Sequence, residues 1–245
     1  MERYKATLSY DGSAFFGMQR QKSERTVQGE LESSLGKLGW VEKSILFAGR
    51  TDSGVHASGQ VVAFDMEWNH SDVDLQNAIN ATMPKDLAIR QIAEVDTGFH
   101  PRYDAKLRHY RYRLYSQPQR DPLRERFAWR VWPAPDLQQM NSAAERLIGE
   151  HDFAAFGTAQ KAGGPTVRNI QQAQWMQTAA DEITFEVSAN AFLYHMVRRI
   201  VGLLVKVGQG SKEESDVPDL LHTAHELIKE MAPAQGLSLV GVDYE

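Results

Sequence analysis

The chain has 245 residues, 42% apolar and 24% charged, enough for one large domain or two small ones with a continuous core and too apolar for intrinsic disorder. It has no cysteine, which removes disulfides, thiolate metal sites, iron–sulfur clusters and a cysteine nucleophile together. Its formal net charge of −5, from 27 basic and 32 acidic side chains, argues as a bulk number against a nucleic-acid partner.

In chain order, Tyr4, Ala6, Leu8 and Tyr10 alternate with Lys5, Thr7 and Ser9, which predicts a half-buried strand ending at Asp11-Gly12. Thr26 can cap a helix with Val27, Leu31, Leu35 and Leu38 on its apolar face. Short strands over 45–48 and 60–66 flank a loop rich in Gly, Ser and Thr, Ser71 can cap a helix through Leu75, Ala78 and Ile79, and 87–95 is a further strand. The second half opens with a strand over 107–115. Asp136 then caps a helix through Leu137, Met140, Ala144, Leu147 and Ile148 that Gly149 stops. Strands over 169–177 and 182–188 follow, with a helix through Met196, Ile200, Leu204 and Val207 ending at Gly208. A helix near Asp216 carries Leu220, Leu221, Leu227 and Ile228, and the last strand runs over 237–244. Apart from the extra helix near Asp216, both halves read β-α-β-β-α-β, the ferredoxin-like pattern, so an α+β fold with domains 1–104 and 105–245 is expected. A cleft where two such sheets meet would suit a site. The longest apolar run, 200–205 between Arg199 and Lys206, is far short of the roughly 20 residues that span a bilayer. Residues 1–10 lack a signal peptide's apolar core, so a cytoplasmic protein without membrane contact is expected.

Charge is unevenly spread. Residues 100–130 hold nine Lys/Arg against three acids, or +6, and residues 211–245 hold two lysines against eight acids, or −6. Screening over about 8 Å means that the acidic end need not cancel the basic stretch. Within that stretch, Arg108, Tyr110, Tyr112 and Leu114 would share one strand face and His109, Arg111, Arg113 and Tyr115 the other. Interleaved aromatic and guanidinium groups suit base stacking with phosphate contacts, and arginines also guard an edge strand against aggregation.

The loop Gly49-Arg50-Thr51-Asp52-Ser53-Gly54-Val55-His56-Ala57 concentrates arginine, aspartate and histidine between two apolar strands. Asp-Ser-Gly alone would be an ordinary turn. With Arg50 two residues away, Asp52 is also a candidate ionised carboxylate, able to act as nucleophile or base. Arg198 lies in an otherwise apolar helix, where an unpaired guanidinium is costly to bury. His222 and His225 sit one turn apart without an evident third metal ligand. Gly208-Gln209-Gly210 lacks the third glycine of a dinucleotide fingerprint, and neither a phosphate loop nor a serine-hydrolase elbow occurs.

The same loop, continued by Gly59-Gln60-Val61-Val62, resembles the signature of the tRNA pseudouridine synthase A family. The resemblance extends to Tyr10-Asp11-Gly12-Ser13, Gly17-Met18-Gln19-Arg20-Gln21, Phe99-His100, Arg108-His109-Tyr110-Arg111-Tyr112, Asn190-Ala191-Phe192, His195-Met196-Val197-Arg198 and Gly236-Leu237-Ser238-Leu239-Val240. It implies the pseudouridine synthase fold, two ferredoxin-like halves forming a continuous mixed sheet with a central cleft. It further implies a homodimeric isomerase acting on uridine in the tRNA anticodon stem-loop, without cofactor or metal. Asp52 falls on the family's catalytic aspartate, Tyr110 on the tyrosine that packs against the target base, and Arg50 and Arg198 on arginines near the aspartate. Met18 departs from the family's common tryptophan. A non-catalytic RNA-binding module would use the same basic strand without needing Asp52. A nucleoside glycosidase would need a second carboxylate, for which the sequence offers no good candidate.

Overall fold

The computed structural model describes residues 1–222 and 226–245. The chain forms two compact units, Met1–Lys106 with Ser238–Glu245, and Leu107–Leu237, each a sheet with helices packed on it.

In the first unit, β1 (Glu2–Tyr10), β3 (His56–Met66) and β4 (Leu87–Val95) pair antiparallel with β1 in the middle, and β2 (Leu46–Phe47) adds a short antiparallel rung on β3. Tyr4, Ala6, Leu8 and Tyr10 are buried and the residues between them half-buried, as the alternation predicts. Helix α1 (Val27–Gly36) starts where the Thr26 hydroxyl accepts the Gly29 N–H, and α2 (Asp72–Thr82) starts with a capping box between Ser71 and Asp74. The 45–48 strand is thus shorter than expected, and the strand expected over 60–66 begins at His56.

The second unit is built on antiparallel β5 (Leu107–Tyr115), β9 (Glu182–Ala189) and β8 (Val167–Ala179). Two short strands were not evident in the sequence: β6 (Trp129–Arg130), parallel to β5, and β7 (Gly149–Asp152), antiparallel to β8. Helix α3 (Leu137–Glu145), capped by Asp136, ends before Leu147, and Gly149, expected to stop it, opens β7 instead. Helix α4 (Met196–Gly208) is buried on most of its circumference, as befits a core helix. Helix α5 (Asp216–His222) is followed by residues 223–225, among them His225, which lie outside the described residues. Leu227 and Ile228, expected on the same helix, are not helical.

The last strand, β10 (Leu237–Asp243), expected at the end of the second half, stands between β3 and β5 in the strand order; from Ser238 on it groups with the first unit, where Ser238 and Leu239 pair in parallel with His56 and Ala57 of β3. The reason is local. At Gly59 the strands approach so closely that a Cβ would stand 2.2 Å from the Val240 carbonyl oxygen. The Lys106 N–H donates to Asp243 C=O, the Tyr244 hydroxyl donates to Pro101 C=O, and the Lys5 ammonium lies 4.3 Å from the Tyr244 ring centroid. Alternation alone does not say which strand a segment will pair with.

Two expectations follow. Gly59→Ala should cost about 1–3 kcal/mol in denaturant unfolding, the range for overpacking a tight contact, whereas Ser58→Ala, at an exposed position, should cost little. The Arg25 guanidinium donates twice to Asp86, both at 2.8 Å, and holds that carboxyl below its usual range. A depressed carboxyl contributes stability that is present above its unfolded pKa of about 3.9 and lost as pH falls through the folded value. Asp86→Asn should therefore lower Tm at neutral pH and flatten its decline below about pH 4 in a series of thermal melts.

Candidate active site

The loop from Ala48 to Val55 is held to its unit at almost every residue. The β2–β3 ladder continues one step past β2, with the Ala48 N–H donating to Val61 C=O at 2.8 Å. The main chain then leaves the sheet, and the Gln60 side chain takes over: its Nε2 donates to Gly49 C=O at 2.7 Å and its Oε1 accepts Gly49 N–H at 3.3 Å. Gln60 has no exposed surface. Two residues on, the Thr51 hydroxyl is 2.8 Å from the Tyr10 hydroxyl, and Thr51 C=O accepts the Met18 N–H. Burial pushes the Tyr10 phenol up to about 12 against the opposing hydrogen bonds from Thr51 and Gln60, so it is neutral at ordinary pH. Met18 is fully buried in the packing beneath this loop.

Asp52 opens a turn in which Val55 N–H donates to Asp52 C=O at 3.2 Å. Gly54 stands at φ 79°, a conformation glycine adopts without steric cost. The Ser13 end of the 11–21 loop presses on this turn: a Cβ at Gly12 would lie 2.0 Å from Val55 C=O. Buried His56 offers Nδ1 to the Gly12 N–H at 3.0 Å, with an Asp11 oxygen 3.2 Å from the same nitrogen. The first contact needs that nitrogen unprotonated and the second needs it protonated, so one protonation state makes one of the two hydrogen bonds. Asp52 is half-buried and Arg50 is exposed.

Tyr110 and Arg198 belong to the second unit. The face of β5 that carries Arg108, Tyr110, Tyr112 and Leu114 is the core face. Tyr112 has no exposed surface and its hydroxyl donates to Pro233 C=O at 2.7 Å, which takes it out of reach of a stacked base. Tyr110 is 8% exposed and meets Phe192 edge-on at 5.1 Å between centroids. Arg198 is half-buried on the first turn of α4. Its Nε donates to Ala232 C=O at 2.9 Å, and Ala232 N–H donates back to the Arg198 carbonyl. Burial raises the Tyr112 phenol well above its usual value, and the Arg198 charge opposes that shift, which puts the guanidinium in electrostatic reach of Tyr112.

The basic stretch is less positive than its composition. On the outer face of β5, Arg111 pairs with Glu186 at 2.7 Å and Arg113 with Glu182 at 2.9 Å. Arg124 is bound by Asp181 and Glu182, while Arg120 and Arg130 both face Glu125. Three of these acids come from β9 and the turn before it, so half of the +6 is met within the unit.

Sequence reasoning passed over Tyr10, Thr51 and Gln60 as supports of the Asp52 loop. The available signal was Gln60 itself, an amide inside the apolar run of β3. Thr51→Val should show their cohesion: it removes one of the two side-chain hydrogen bonds of the Tyr10 hydroxyl and should lower unfolding stability by about 0.5–1.5 kcal/mol in chemical denaturation.

A family model described as tRNA pseudouridine synthase matches residues 6–104 and 143–245; β5 with Tyr110 lies between the two matched segments. The chain is 39% identical over 248 residues to tRNA pseudouridine synthase A of Listeria innocua, covering 100% of both chains. It is 38% identical over 245 residues to the proteins of that name from Pseudothermotoga lettingae and Brevibacillus brevis, again over 100% of each chain. Among solved structures, an archaeal box H/ACA sRNP Nop10–Cbf5 complex aligns at a TM-score of 0.34 and 11% identity, over 82% of this chain and 44% of that one, a likeness too loose to weigh.

Proposed function

The chain belongs to the tRNA pseudouridine synthase family, as an isomerase that makes pseudouridine from uridine in tRNA, and we propose that Asp52 is its catalytic carboxylate and the anticodon stem-loop its target. The observation that carries the first part is the pinning of the Asp52 loop. The backbone is tied at residues 49 and 51 and closed into a turn from 52 to 55, which holds a half-buried carboxylate in one place.

The isomerisation breaks the bond from N1 of uracil to C1′, turns the base, and joins C5 to C1′, with the C5 proton lost and N1 protonated. No electron or phosphoryl group changes hands. Asp52 can act in either of two ways. As a nucleophile, its carboxylate attacks C1′, uracil leaves as the N1 anion, and C5 later displaces the carboxylate. As a base, it removes a ribose proton so that the base departs, and the proton is returned when C5 rejoins C1′.

In the same reading, Tyr110 packs on the uracil, and the edge-on Phe192 ring fixes the orientation of its phenol. Exposed Arg50 supplies positive charge in the carboxylate's own loop, and it or Arg198, tied to the backbone of residue 232, fills the gap that a flipped nucleotide leaves. The enzyme works as a cytoplasmic homodimer without a cofactor. No helix among the described residues is long and apolar enough to cross a membrane.

Incubation with unmodified tRNA carrying tritium at uridine C5 tests this reading. Asp52→Asn should bind tRNA and release no tritium; full release by that variant removes Asp52 from the chemistry. Binding without release by the native protein would instead mark an RNA-binding module, and free uracil a glycosidase.

A salt titration of tRNA binding separates paired from available cations. Loss of a phosphate-contacting arginine lowers the salt slope by about 1. Arg50→Gln is expected to do so, while Arg111→Gln, already engaged by Glu186, is expected to leave the slope unchanged.

A further inference from the structure

Among the described residues, Gln60 is the side chain that bonds both the N–H and the C=O of a residue in the loop proposed to be catalytic, and it does so from a fully buried position. That residue is Gly49, three before Asp52. Gln60 also reaches the Tyr10 hydroxyl, which in turn meets Thr51. Residues 49 and 51, on either side of Arg50, are therefore held from one buried network on β1 and β3. The sheet itself does not take its place, because the β2–β3 ladder has ended at Ala48. If the amide were absent, the Gly49 N–H and C=O would seek water, and the main chain leading to Asp52 would shift outward.

We propose that Gln60 is a positioning residue for the isomerisation: its amide sets where the Asp52 carboxylate stands, and so it acts on turnover and not on tRNA affinity. The proposal rests on Asp52 being the catalytic carboxylate. A displacement of about 1 Å in a reacting group can cost on the order of 100-fold in rate, whereas a phosphate contact elsewhere on the protein is indifferent to it.

Two variants of the full chain test this with tritium release from unmodified tRNA under single turnover, alongside filter binding of the same tRNA. Gln60→Met keeps the length of the side chain and removes its hydrogen bonds to Gly49 and to the Tyr10 hydroxyl. It should lower the rate by about 10- to 100-fold and leave the dissociation constant within about two-fold. Gln60→Glu carries a pH signature that a merely structural role would not produce. A neutral carboxyl offers an O–H to Gly49 C=O and an acceptor to Gly49 N–H, which keeps both bonds to the loop and gives up only the amide's second donor, toward Tyr10. Once ionised, it turns a charged acceptor on the Gly49 carbonyl. Burial raises the pKa of such a carboxyl, so the rate relative to native protein should be near one at about pH 6 and fall as pH rises toward about 9.

A folded Gln60→Met protein with native rate overturns the proposal, and so does a loss of tRNA affinity as large as the loss of rate. Should Gln60→Met fail to fold, the Gln60→Glu ratio decides, and a ratio independent of pH overturns it. Asp52→Asn run in parallel separates the two ideas. An inactive Asp52→Asn beside a fully active Gln60→Met sinks the positioning role alone, while an active Asp52→Asn sinks the reading on which it rests.

Discussion

A peptide group taken out of water must find a hydrogen-bond partner, and this molecule repeatedly meets that demand with a side-chain amide where its sheets run out of strand. Gln60 covers both polar groups of Gly49 where the loop departs from β3. Asn80 on α2 covers both groups of Ile89, next to the register shift between β1 and β4. Asn141 on α3 does the same for Trp175, beyond the stretch of β8 that β7 pairs. Each leaves a peptide pair exposed to a cost of about 1–3 kcal/mol per orphaned group if the amide is lost. In two of the three cases the amide docks a helix onto a strand; in the third it docks the loop that carries Asp52.

The electrostatics follow the same economy. Arginines of the basic stretch stand opposite acids of the neighbouring strand, as Arg111 does with its register partner Glu186. Pairs this exposed add little stability, but they neutralise one another locally. A count of charges along the chain thus overstates the positive surface offered to a polyanion. What an RNA would meet is decided by which cations lack a carboxylate across the strand, and Arg50 in its exposed loop is of a different kind from Arg111.

Much of the architecture is legible in the sequence because it rests on local physics. Period-two alternation marks β1, and strand-forming stretches with clear boundaries, β-branched and apolar in β4 and aromatic interleaved with arginine in β5, have limits that match the predicted ones. Thr26, Ser71 and Asp136 cap the helices they were expected to cap. What escapes the sequence is pairing between distant segments. Leu239 and Val240 have a strand's pattern, but only the bare Cα of Gly59 tells that their partner is β3. The two- and four-residue strands β6 and β7 are too short for any periodicity. At the candidate site, Asp52 with Arg50, Tyr110 and Arg198 stand out from their residue context and take their roles from the resemblance, and neither says what holds them. Tyr112 looked equivalent to Tyr110 on the same strand face, and only its buried hydroxyl on Pro233 separates the two.

The return of β10 to β3 makes the first unit discontinuous in sequence, while the second is a single stretch. During synthesis, residues 107–237 can complete their own contacts as soon as they have emerged, since all of them are then present. The first unit has to wait. Until residues 238–245 exist, His56 and Ala57, immediately after the Asp52 turn, have an open strand edge on the side where Ser238 and Leu239 will pair. The part of the protein made first is therefore finished last, and the loop proposed to carry the chemistry borders the seam that closes it.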